Sequence, residues 1–265
     1  MLKLQRSPAA RGNAQLKKVL RTKRQTNSAY IRAHAGKSPD AETELLLIGG
    51  VGALDFRIRV AQSHARDDLL PSAWSHAVVL APASKGNSRR RLWEIPLSGA
   101  AVSAHPPASN GVVESDLEQY DDPATFPNIA LLRVPVPASA LAAAVERFRR
   151  QRTVLDALEL LLAWWAFGWG VGRAGNPLLD EIGVPSAAFV EYTFSAAGYD
   201  LVPGFPSRSS CPEAIWQAAR WWHEHPRMTP LEAARTTREL PPIAGVYDAE
   251  HYLVPAPAEG SKRRS

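Results

Sequence analysis

At 265 residues, 45% hydrophobic and 22% charged, the chain has the size and composition of one folded domain with tails and falls outside the disordered class. The net charge of +5 sits at the ends: residues 1–40 carry ten Lys/Arg and a single acid, and Lys262, Arg263 and Arg264 add three more. The body from Ala41 to Ser261 is left with 18 basic and 25 acidic residues, which argues against specific nucleic-acid binding, and the single cysteine excludes both an intrachain disulfide and a multi-thiolate zinc site.

The basic run Lys17, Lys18, Arg21, Lys23, Arg24 belongs to an N-terminal segment, residues 1–40, that reads as a flexible tail able to touch an anionic surface. No apolar stretch follows it, so the expected origin is cytoplasmic without a signal peptide, and an extracellular target would require a specialised secretion system. Glu44–Gly50 (ELLLIGG) predicts a buried strand, and Ala53–Ala65 a helix with Leu54, Ile58 and Ala61 on one side. Ala73–Leu80 (AWSHAVVL) predicts a second strand, whose period of two puts Trp74, His76, Val78 and Leu80 on one face. A polar loop over 83–91 leads to three further short strands at Leu92–Ile95, Val112–Glu114 and Ile129–Val134, with an Ala/Ser/Pro-rich loop over Ser98–Asn110 between them. Helices are expected from Ser139, with Leu141, Val145 and Phe148 at helical spacing, and from a cap at Thr153. The second runs into Leu160–Val171 (LLLAWWAFGWGV), which is shorter than the roughly 18 residues of a membrane span and reads as a buried helix end and turn. From Gly168 to Arg208, Pro177, Pro185, Pro203 and Pro206 argue against any long regular element.

The segment Ser209–Trp222 (SSCPEAIWQAARWW) carries the densest signal. Ser210 and Glu213 have capping-box spacing, Pro212 suits a first turn, and Ile215, Ala218, Ala219 and Trp222 follow on one helix face. Cys211 is thereby placed in a first helical turn, where the positive end of the helix dipole favours a thiolate, the nucleophilic form. A cysteine nucleophile needs a base, most often histidine. His34, His64 and His105 lie in polar stretches, and His223 and His225 stand at the far end of the Cys211 helix. His76 interrupts an apolar strand, so a polar partner is required there.

The order of a strand with Ser-His-Ala at its start (AWSHAVVL), a Val-Val-Glu strand (NGVVES) and a Ser-Cys-x-Glu helix start (SSCPEAIW) resembles the permuted papain-like amidases, the circularly permuted NlpC relatives of the YiiX/YaeF type. The ELLLIGG strand and the GYDL segment at Gly198–Leu201 fall where such proteins have an opening strand and a Gly-Tyr-Asp element. The likeness implies an α+β fold, a small antiparallel sheet packed with helices, in which Cys211 is the nucleophile, His76 the base and Glu114 the acid that orients it, with Glu94, Asp116 and Asp200 as competing acids. It also implies a catalytic domain over 41–240, followed by an extended tail over 241–265. The implied reaction is cofactor-free acyl transfer through a thioester, on a peptide, peptidoglycan or lipid amide. The alternatives are a lipid acyl hydrolase or acyltransferase of the same fold, and a non-catalytic interaction module with a structural cysteine.

Overall fold

The computed structural model describes residues 16–36, 42–82, 90–97, 111–151, 154–224 and 243–250. The expected loops over 83–89 and 98–110, the Thr153 cap, and the outermost parts of both tails lie outside these residues. Among the described residues the chain is a mixed α+β unit with seven strands in one sheet and six α-helices. The strands are β1 (Leu16–Lys18), β2 (Thr43–Gly49), β3 (His76–Leu80), β4 (Arg91–Glu94), β5 (Val113–Asp116), β6 (Asn128–Val134) and β7 (Ala244–Asp248), in the spatial order β1-β7-β6-β2-β3-β4-β5. Every pairing is antiparallel except that of β1 with β7.

Strand β2 explains the two-layered core. All seven of its residues are buried, so the run TELLLIG does not alternate inside and outside but faces two apolar layers. Leu45 and Leu47 join Ala77, Val79, Ala130 and Leu132 on one face; Leu46 and Ile48 join Val78, Leu80, Ile129 and Leu131 on the other. The first layer is closed by the helices α3 (Ala138–Arg150), α4 (Val154–Trp169), α5 (Pro185–Ala196) and α6 (Pro212–Glu224), all of which contribute buried side chains to it, with α2 (Ala53–Ala61) supplying Ile58 and Ala61. The second layer is thinner and is closed by Tyr30 and Ile31 of α1 (Asn27–His34) with Leu117 and Tyr120. Each buried leucine contributes roughly 1.5–3 kcal/mol to holding these layers.

The structure corrects three expectations. Parts of both tails belong to the sheet, because β7 completes the free edge of β6 and β1 in turn completes β7. Asn27 anchors the start of α1 by donating to the carbonyls of Tyr120 and Phe126. Pro185 does not break the chain but opens α5, since the first helical position needs no N–H and its fixed φ suits the turn. Finally, the Leu160–Val171 stretch is not wholly buried: Leu162, Trp169 and Val171 are exposed.

Candidate functional site

His76 opens β3 and pairs in register with Ile48, so its ring lies on the face of the sheet that carries Val78, Leu80 and Tyr120. Glu94 ends β4 two residues after Leu92, and the same alternation turns it to the same face. The two meet: His76 Nε2 is 2.6 Å from Glu94 Oε2. That oxygen also accepts from the Tyr120 hydroxyl at 2.5 Å, while Oε1 accepts from Gln119 Nε2 at 2.5 Å and from the Ser115 hydroxyl. The carboxylate is thus saturated by four donors, as burial of a charge requires. Burial pushes the Glu94 pKa up, but the contacts with His76, Ser115 and Tyr120 outweigh it and bring the group down to about 2. The ionised Glu94 accepts the hydrogen bond of Nε2–H, and with the proton held on Nε2 the lone pair on the ring is at Nδ1.

One residue beyond His76, the backbone of β3 meets a residue that the sequence patterns did not single out, on the helix α5 that closes the first layer. Ser186, the second residue of α5, is fully buried, and its Oγ accepts the N–H of Ala77 at 3.3 Å, one residue beyond His76. Neither the Ser186 hydroxyl hydrogen nor His76 Nδ1 has another hydrogen-bond partner among the described residues. The peptide N–H groups of Ser186 and Ala187 are the first two amides of α5, where no carbonyl lies four residues back within the helix to receive them. The only signal in the sequence was Pro-Ser ahead of an apolar run, a helix start hidden by reading the proline as a breaker. A second polar pair flanks the histidine: Ser75 Oγ donates to Asp55 Oδ1 at 2.6 Å and accepts the Gly50 N–H at 3.2 Å. A Cβ at Gly50 would lie 2.5 Å from Asp55 Oδ2, so any larger residue there would push the carboxylate from its place on Ser75.

No protein-family model, curated protein or solved structure matches the chain. The other expected site residues lie apart from His76. Cys211 is buried in the helix-covered layer, on the sheet face opposite to that of His76, and shares no hydrogen bond with it. Burial, with Glu213 adding to it, pushes the thiol up to about 12 against the lowering effect of the Ala214 and Glu213 amides. Desolvation therefore defeats the helix-end effect expected at this position, and the thiol is protonated at neutral pH. Cys211 forms part of the lining of a groove of about 940 Å³ together with His64, Arg66, Phe205 and Trp221. Ser210 does not cap its helix: its hydroxyl has no partner among the described residues, and the Glu213 N–H is received by Gln62 Oε1 at 2.8 Å. Glu114 points to the outer side of β5, where it pairs with Arg91 at 2.7 Å, so the acid on the histidine is Glu94. Asp116 shares the outermost strand β5 with Glu114, and Asp200 neighbours Glu191 of α5. Among the described residues no group of three or more His, Cys, Asp or Glu side chains could hold a metal ion, and no helix is long and apolar enough to cross a membrane.

Glu191 is the second buried carboxyl close to this helix. Its Oε1 accepts the N–H groups of Leu201 and Val202, and burial, aided by Asp200, pushes its pKa up to about 7. The folded state then holds a proton that the unfolded chain has lost, so stability should fall as pH rises from about 4.5 to about 7. Glu191→Gln should flatten that fall and raise the urea midpoint above pH 7; an unchanged slope in urea titrations at pH 5 and pH 8 would show that Glu191 is ionised throughout.

Proposed function

We propose that the chain is a permuted papain-like acyl hydrolase in which His76, held by Glu94, activates the hydroxyl of Ser186. The observation that carries this reading is the contact of Ser186 Oγ with the Ala77 amide, which brings a hydroxyl lacking an acceptor to the backbone of β3 one residue from a histidine whose Nδ1 lacks a donor. In the first step Oγ attacks the carbonyl carbon while its proton passes to Nδ1, and the amides of Ser186 and Ala187 receive the developing oxyanion. Glu94 stabilises the imidazolium through Nε2–H. The amine then leaves with the proton from Nδ1, an ester on Ser186 remains, and water activated by the same nitrogen releases the acid. Entry is from the side of His76, which at 9% exposure is the most open of the three. Amides are favoured over esters as substrates, in keeping with the amidase resemblance, on peptide, peptidoglycan or lipid-linked acyl groups.

The test is a serine-directed fluorophosphonate, with the modified residue mapped by mass spectrometry, alongside release of amine from a library of acyl amides. Label is expected on Ser186 and is expected to be lost in His76→Ala, and turnover should fall about 100-fold or more in either Ser186→Ala or His76→Ala. Cys211→Ala should keep its turnover. Loss of turnover in Cys211→Ala with no label on Ser186 would return the nucleophile to the thiol, and a folded wild type that neither labels nor turns over would leave an interaction module.

A further inference from the structure

The helix α4 and the turn after it present apolar side chains to solvent where a helix covering a core should present polar ones. Leu162, Trp169 and Val171 are 53%, 73% and 63% exposed, and Leu179, from the short 3₁₀ segment packed against α4, is 69% exposed. Isolated exposed apolar residues are ordinary; Leu162 and Trp169, seven residues apart and so on one face of α4, with Val171 in the turn that follows and Leu179 in a segment that contacts the helix, mark an interaction surface. The turn itself is kept open by Gly170 and Gly172, both at positive φ, which lets the chain reverse directly after Trp169 and carry Val171 outward.

The charge around this patch is one-sided on its approach. Residues 160–179 contain no Asp or Glu, in a body where acids outnumber bases, and their only charge is Arg173, which is exposed and has no charge partner among the described residues. A second cation, Arg57, sits beside Gly170 and donates Nη1 to the carbonyls of Phe167 and Gly168 at 2.9 and 3.1 Å, closing the end of α4. Asp180 and Glu181 follow only beyond Leu179. An indole and aliphatic side chains on a projecting turn, flanked by guanidinium groups, are the chemistry that enters the boundary between lipid headgroups and acyl chains. A second copy of the chain would bury the apolar side chains equally well, and the oligomeric state therefore forms one arm of the test.

We propose that this turn docks the protein on an anionic lipid surface, with Trp169 and Val171 inserted and Arg57 and Arg173 at headgroup level. The proposal is independent of the reaction assigned to Ser186. It is tested by sedimenting the full chain with vesicles of phosphatidylcholine and phosphatidylglycerol in equal parts, comparing wild type with the double variant Trp169→Ser, Val171→Ser. Both positions are on the surface, so the fold should survive, which circular dichroism checks. In high salt, where attachment through the basic residues of 1–40 is screened, the variant's vesicle partition should fall about tenfold or more. A tenfold change corresponds to about 1.4 kcal/mol, which insertion of one such side chain is enough to supply. Wild-type partition should also fall when phosphatidylglycerol is omitted. Equal partition of wild type and variant would overturn the proposal. So would a wild type that dimerises in sedimentation equilibrium while the variant stays monomeric with unchanged vesicle binding, because the patch would then be covered by a second copy.

Discussion

Glu94→Gln should cost about 3 kcal/mol of folding free energy at neutral pH, a loss produced by a change of charge with almost no change of shape. The carboxylate takes two donors on each oxygen, from His76, Tyr120, Ser115 and Gln119. A carboxamide offers an NH₂ to two of those four, so donors face donors in a buried site. The pH dependence gives the check. Because the folded pKa is depressed from 4.5 to about 2, the contribution of Glu94 is complete above pH 4.5 and is lost as pH falls toward 2. Urea unfolding at pH 7 and pH 3 should therefore show wild type and variant far apart at the first and closer at the second. A constant difference would mean that Glu94 is not the ionised centre of the cluster. Turnover gives a second readout, since a histidine left without its orienting acid should lose activity even in the fraction that remains folded.

The second large effect is expected at the start of α6, where Glu213→Ala should destabilise the fold by about 3–5 kcal/mol. Glu213 has no exposure, and its carboxylate accepts from Arg66 at 3.1 Å, Gln217 at 2.5 Å and Ser72 at 2.6 Å. Arg66 is itself buried and would retain only Asp68, at 2.5 Å. Removing the acid therefore takes one of two carboxylate partners from a buried guanidinium and leaves the Ser72 hydroxyl and the Gln217 amide without the acceptor they share. The cost should not be read as the worth of the ion pair, because the penalty lies in the groups left behind. Arg66→Met combined with Glu213→Leu should be markedly milder than Glu213→Ala in chemical denaturation. If the double variant is the worse of the two, the bridge contributes net stability and the desolvation argument fails at this position.

Much of the architecture was legible along the chain. The ELLLIGG run, the alternating AWSHAVVL segment and the helical spacings after Ser139 and Ser210 all correspond to elements in the structure, because each is a local pattern with a period set by backbone geometry. The need of His76 for a partner was legible too, since a ring in an apolar strand cannot stay unsatisfied. The identity of that partner was not. Glu94 and Glu114 both end or interrupt short strands, and only the register of β4 against β3 and β5 turns one inward to His76 and the other outward to Arg91. The helix that begins at Pro185 was lost because a proline signals a helix start or a break with the same residue, and the choice depends on the side chains that pack around it.

Composition and patterns among near neighbours are enough to give the alternation of strands and helices, the single thiol, the acidic body between basic ends, and the isolated polar ring at His76. Long-range packing was needed to decide that β1 and β7, from the two ends of the chain, extend the sheet, and that His76 and Cys211 face different layers of it. It was needed equally to bring Ser186 to the Ala77 amide of β3 and to let burial override the helix end at Cys211. Strand pairing, the face a side chain takes and the desolvation of a group depend on residues distant in sequence, and no local spacing records them.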